Sequence, residues 1–131
     1  MAIYAMLQEK ATALNYRNLR TLAAKENDEA LTTLLTLISR DEAAHYDFFK
    51  SIVLRIAQDD RELVLRELLN VLRNFTMPAH DLIRDWPERG ELIVSLGLFS
   101  DRMFLQQIAI PVLKAFDTSM SELRRLEKTW V

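Results

Sequence analysis

Glu42 and His45, in the stretch Ser39-Arg40-Asp41-Glu42-Ala43-Ala44-His45, are the residues whose types and spacing point most directly to chemistry. Positions three apart share one face of a helix, so a carboxylate and an imidazole at Glu-x-x-His spacing can hold the same metal ion. Steps of four and three residues from Leu31 pass through Leu35, Ile38, Glu42, His45, Phe49, Ile52 and Ile56, the pattern of a stripe that a bundle helix buries. A carboxylate in such a stripe is costly to bury unless it takes a proton or meets a cation. A metal ion is one such cation. The plainer alternative is a helix whose Glu and His reach water or pair with each other, because two residues at fixed spacing are a weak signal.

The elements that must position this pair can be read on either side of it. A first helix over Ile3 to Ala24 carries the comparable series Ala2, Ala5, Glu9, Thr12, Tyr16, Leu19 and Ala23, which again sets a carboxylate at a core position. Small residues at Ala2 and Ala5 let a neighbouring helix come close. The second helix is expected to start at Asn27 or Asp28, both suited to an N-cap. An antiparallel hairpin through Lys25 to Asp28 then brings Glu9 level with Glu42, since both lie about equally far from the turn and a helix rises ~1.5 Å per residue. One Glu on one helix and Glu-x-x-His on the next is half of the ligand recipe of ferritin-like di-iron and di-manganese bundles.

Three stretches carry a resemblance to a family: Tyr4-Ala5-Met6-Leu7-Gln8-Glu9-Lys10-Ala11-Thr12, Asp41-Glu42-Ala43-Ala44-His45, and Phe75-Thr76-Met77-Pro78-Ala79-His80. In order and separation they resemble the second half of the soluble acyl-[acyl-carrier-protein] desaturases, or type 2 fatty acid desaturases, from about Ile3 to about Phe116. The resemblance implies an all-α, ferritin-like helical bundle, here half of a di-iron four-helix bundle plus further C-terminal helices. It implies Glu9, Glu42 and His45 as ligands of a site for two iron ions. Thr12 would be the hydroxyl on the oxygen-binding side, and Asp41 an outer carboxylate that orients a ligand histidine, fixing its tautomer and raising its basicity. The implied reaction removes two hydrogens from a saturated acyl chain on acyl carrier protein, consuming oxygen and electrons from a ferredoxin-type donor.

The family draws its other Glu and Glu-x-x-His from two earlier helices, together with residues at the entrance side of the acyl tunnel. Neither precedes Ile3 here, and Tyr16 stands where plant members have a histidine. The expectation is a site completed by a second chain. A two-fold homodimer would restore four carboxylates and two imidazoles, a separate partner carrying the missing helices would serve as well, and the third alternative is that the chain is a truncation or a proteolytic remnant. A metal-free helical interaction module that has kept the fold and lost the chemistry is the competing expectation.

Composition bounds these readings. Across 131 residues, half are hydrophobic and only two glycines and three prolines occur, which suits one helical domain over residues 1–131. A net charge of -2 and the lack of a base-reading motif give no case for nucleic acid. Arg61, Arg66 and Arg73 suit an acidic carrier protein, though a solvated helix face is the simpler reading. With no cysteine, thiol catalysis and iron–sulfur ligation are excluded, while oxygen and nitrogen ligation remains open. No secretory leader and no apolar run of ~18 residues is evident, so a soluble, cytoplasmic protein is expected.

Further along, Asp59-Asp60-Arg61-Glu62 predicts the start of a third helix running to about Phe75, with Leu65, Leu68, Leu69 and Leu72 inward and Pro78 closing it. His80 reads as structural. Asp85 to Gly90 reads as a turn-rich connector, followed by a helix over Glu91 to Phe99. Ser100-Asp101 predicts a cap for a helix to about Phe116 that Pro111 kinks or shortens near Ile110. Ser119 to Glu122 predicts a last capping box and a helix to Trp130. Met6, Met77, Met103 and Met120 with Phe48, Phe49, Phe99 and Phe104 suit either an acyl tunnel or a plain core. Trp86 and Trp130 read as packing residues.

Overall fold

The computed structural model describes residues 1–78 and 80–130; Ala79, part of the Met77-Pro78-Ala79-His80 stretch, and Val131 lie outside the described residues. Every regular element among the described residues is helical and none is a strand, in the order α1 (Ala2–Lys25), α2 (Glu29–Asp59), α3 (Arg61–Arg73), α4 (Trp86–Ser95), α5 (Asp101–Met103), a π-helical turn (Phe104–Ala109), α6 (Ile110–Ala115) and α7 (Met120–Glu127). This is the all-α, ferritin-like class expected from the sequence. No described helix is long and apolar enough to cross a membrane.

α1 and α2 form the expected hairpin and make the most extensive helix–helix contact of the fold. α1 closes with the Asp28 N–H donating to Ala23 O at 3.0 Å while Asn27 sits at φ 59. That left-handed residue is the kind of helix stop Asn tolerates. Asp28 opens α2, its Oδ1 accepting from the Leu31 N–H at 2.9 Å. Asp60, at φ -145, breaks the helical path for one residue and caps α3 by accepting from the Leu63 N–H. Val64, Leu65, Leu68 and Leu69 of α3 are buried, with Leu72 packed beside them.

The core lies where the N-terminal half of α1 meets α3, α6, α7 and the end of α2: Met6, Leu7, Leu14, Val53, Leu68, Ile108, Phe116 and Leu123 are closed to water. Each large aliphatic side chain buried there contributes roughly 1.5–3 kcal/mol before the entropy of ordering it is counted. A stacked Phe75–Phe104 pair, with ring centroids 4.9 Å apart, and Tyr4 tilted onto Phe75 close one flank. The Tyr4 hydroxyl donates to Thr76 O at 3.0 Å, tying the start of α1 to the segment after α3.

Three expectations are corrected. The segment Asp85 to Gly90 is not a connector: α4 begins at Trp86 because Pro87 suits a first helical turn and Gly90 is tolerated inside the helix. It ends at Ser95, with Gly97 at φ 68 and the Leu98 N–H donating to Ile93 O, a glycine stop. The helix through Pro111 is not shortened near Ile110 but runs on to Ala115. It widens by a π turn in which the Ile110 N–H reaches Leu105 O, making room for a proline that lacks a donor and crowds the carbonyl four residues back. Finally, α3 stops at Arg73 and α7 at Glu127, short of Phe75 and Trp130.

Candidate metal centre

α1 supplies Glu9 and α2 supplies Glu42 and His45, and the hairpin brings one ligand atom from each within 4.8 Å of the other two. The His45 Nδ1 lies 3.0 Å from Glu42 Oε2 and 3.6 Å from Glu9 Oε2. The hairpin register expected from the sequence is therefore the one observed. Burial differs from expectation. The Glu9 and Glu42 side chains retain 16% and 19% of their exposure, whereas His45 retains 59%. Of the stripe predicted on α2, Leu35 alone is buried; α2 turns Leu35, Ser39 and Val53 inward. Of the predicted series on α1 only Ala23 is buried; the buried line otherwise runs through Ile3, Met6, Leu7, Ala11 and Leu14. The three ionisable groups sit at the margin of the α1–α2 seam and look out across its open side.

Electrostatics follows from that placement. Burial, and then the nearby Glu42 carboxylate, push the Glu9 carboxyl above its ordinary value. The hydrogen bond to Glu42 is the main cause that raises His45, against some loss of solvation. Two carboxylates crowded together resist carrying two negative charges, and a cation relieves them. Oxygen and nitrogen donors without a thiolate suit iron or manganese, so the residues present fit half of a di-metal carboxylate set.

Thr12 lies one turn beyond Glu9, and its hydroxyl donates to Gln8 O at 2.9 Å within α1. Asp41 is exposed, with Arg40 Nε at 3.9 Å, and the structure brings it to no histidine among the described residues. His80 Nδ1 donates to Met77 O at 3.0 Å, a structural bond. The three arginines are engaged within the chain. Arg61 donates to Phe116 O and Asp117 O, Arg66 pairs with Glu62 beside the Trp130 ring, and Arg73 grips the Glu127 carboxylate.

Two features escaped the sequence reading. Lys10 Nζ lies 4.3 Å from the centre of the Tyr46 ring, clamping α1 to α2 beside the carboxylates, with Lys50 at 4.9 Å. Burial lowers the Lys10 ammonium below its usual value. The signal in the sequence is Tyr46 directly after His45, which falls outside the three- and four-residue steps of the stripe. The other is a cleft of about 670 Å³ between α1, the Met77–Pro78 segment and α4, lined by Asn15, Met77, Trp86, Ile93, Phe99 and Arg102 among others. The Asn15 Oδ1 is buried without a hydrogen-bond partner among the described residues. Of the methionines and phenylalanines considered for a tunnel, Met77 and Phe99 line this cleft. Met6 is in the closed core and Phe48 is on the surface. Trp86 is a wall of the cleft, while Trp130 packs against the core.

A family model described as fatty acid desaturase matches residues 1–117. Acyl-[acyl-carrier-protein] desaturase 7, chloroplastic, of Oryza sativa subsp. indica is 32% identical over 78 residues, covering 59% of this chain and 19% of that protein. Stearoyl-[acyl-carrier-protein] 9-desaturase 2, chloroplastic, of Arabidopsis thaliana is 32% identical over 79 residues, 60% of this chain and 19% of its own. The aligned part is thus about a fifth of the length of the curated relatives. No solved structure matches with comparable significance.

Proposed function

The chain belongs to the fatty acid desaturase family, and on that premise we propose that it is a desaturase-like di-iron oxidoreductase acting on an acyl chain carried by acyl carrier protein. In this reading Glu9, Glu42 and His45 are its metal ligands, and a further ligand set completes the site. The observation that carries the proposal is the convergence of two carboxylates and an imidazole, from two helices, to within 4.8 Å. Iron bound there would supply one-electron and oxygen chemistry.

The chain's own residues do the rest. Glu9 and Glu42 would hold the cation through carboxylate oxygens and His45 through a ring nitrogen. Thr12 keeps its oxygen lone pairs free on the Glu9 face, since its proton is held by Gln8 O. Asp41 is proposed to orient an imidazole of the completing ligand set. The apolar cleft at Met77, Trp86 and Phe99 has a volume within the usual range for small-molecule sites and is proposed to hold part of the acyl chain away from water. A ferredoxin-type electron donor, a single helical domain over residues 1–131 and a soluble, cytoplasmic setting belong to the same proposal.

The test is ferrous iron binding under anaerobic conditions. Glu42→Ala and His45→Ala are expected to abolish iron binding and the iron-dependent rise in Tm, because a ligand of the folded state stabilises it. Substituted protein that still holds iron would discard this ligand set. Oxygen consumption that depends on acyl-carrier substrate separates desaturation from simple iron oxidation. A second reading, a metal-free helical interaction module, has one observation in its favour: His45 and Glu42 already satisfy each other at 3.0 Å. It is expected to leave both alanine variants as stable as the parent.

A further inference from the structure

We propose that α4 is a lid over the cleft beside Asn15 and Met77, hinged at Asp85 and Gly97, which swings out to admit an apolar chain and closes on it. The inference rests on the reading of that cleft as a place for a hydrocarbon chain, and it adds the element that controls entry. α4 buries none of its residues. Its half-buried positions are Trp86, Gly90 and Ile93. Spaced by four and three, they share one helix face, and all three line the cleft. The face that an amphipathic helix normally lays on a core lies here over a volume of about 670 Å³, the size of a small-molecule site. A helix of ten residues does not hold its shape in water unaided, so α4, with this little packing beneath it, has low local stability.

The chain on either side of α4 is built differently. Before it, His80 Nδ1 donates to Met77 O at 3.0 Å, and Met77 packs against the core. After it, Asn18 of α1 donates through Nδ2 to Leu98 O at 2.8 Å, and Leu98 is buried. Between these two anchors the side-chain hydrogen bonds among the described residues, Arg89 Nε to Arg84 O and Ser95 Oγ to Leu92 O, stay inside the segment. The backbone turns left-handed once at each end of the helix, at Asp85 (φ 58) and Gly97 (φ 68). The Asp85 side chain makes no cap to α4. Rotation at these two positions moves α4 as a unit while both anchors hold, which is how a few end residues serve as hinges. An apolar chain in the cleft supplies the surface that Trp86, Gly90 and Ile93 otherwise lack, so binding and closure reinforce one another.

The experiment is hydrogen exchange of the full chain read by mass spectrometry, with and without dodecanoate as the apolar probe, for the parent and for Gly90→Leu. Calorimetry measures the binding of dodecanoate to each. A Cβ at Gly90 meets nothing within 4 Å, so leucine there takes up part of the cleft and is expected to keep the helical circular dichroism. In the parent, α4 amides are expected to exchange about tenfold faster or more than those of α3, whose inner face is buried, and dodecanoate is expected to slow α4 alone by a similar factor. Gly90→Leu is expected to bind dodecanoate about tenfold more weakly. Parent α4 amides as slow as those of α3 without the probe would overturn the lid, and that arm needs no variant. Dodecanoate that binds the parent, is lost in Gly90→Leu and leaves α4 exchange unchanged would overturn the lid while keeping the cleft as a site for the chain. A parent that takes up no dodecanoate would overturn the reading of the cleft, and the lid with it.

Discussion

α2 and α3 are separated by the single residue Asp60, yet they are built to different ends. α3 has 13 residues and buries Val64, Leu65, Leu68 and Leu69, while α2 has 31 and buries Leu35, Ser39 and Val53. α3 is folded by its packing, wedged among α1, α7 and the end of α2. α2 runs well past Val53 toward its N-terminus, where α1 is its main packing partner. The comparison teaches that the length of α2 answers to something other than the core. Glu42 and His45 are carried on the stretch that the core does not explain, and Glu9 meets them from α1.

The contrast can be broken at its strongest point first. Phe116→Ala, in the closed core, is expected to cost about 3–5 kcal/mol, and Leu68→Ala on α3 about 2–5 kcal/mol, by urea unfolding. Losses under 1 kcal/mol at both would mean that the core is not where the stability resides. Asp60→Ala removes the cap that separates the two helices and is expected to cost about 1 kcal/mol, read from the same transition. Phe48→Ala, on the open side of α2, is expected to change metal-free stability by no more than about 0.5 kcal/mol. A loss as large as that of Leu68→Ala would show that the face is already covered.

The smallest effect is a pH dependence at the α3–α7 contact. The hydrogen bond from Arg73 is the main cause that holds the Glu127 carboxyl below its ordinary value. A depressed folded-state pKa adds stability that is present above the unfolded value and fades as pH falls through the folded one. Tm measured across the acid range is therefore expected to fall slightly less in Arg73→Gln than in the parent. Since the pair is exposed, a large difference would mean that the contact is more enclosed than its geometry indicates.

Much of the site was legible because its logic is local. Glu42 and His45 are a helical step apart, and the hairpin that levels them with Glu9 needs only a turn at Asn27 and equal arm lengths. The phase of α2 was not legible. Leu34, Leu35, Leu37 and Ile38 support two overlapping stripes, and periodicity alone does not say which one meets a helix of the same chain. The burial expected for His45 failed for that reason. The start of α4 was not legible either, because Pro87 signals a turn in one context and a first helical turn in another. The cleft, formed by segments far apart in the chain, had no signature along the sequence.

The wide turn at Phe104–Ala109 has a consequence for how the chain tolerates change in length. A helix with one residue more than its regular turns require stores a phase offset, and Ile108, Val112, Leu113 and Phe116 point into the core because of it. Deleting a single residue from that turn would restore an even ladder and swing everything after it by about 100°. Phe116 would leave the core and the platform for α7 would turn with it. Ordinary substitutions at exposed Gln106 or Gln107 leave the phase alone, so this stretch is permissive in spelling and strict in count.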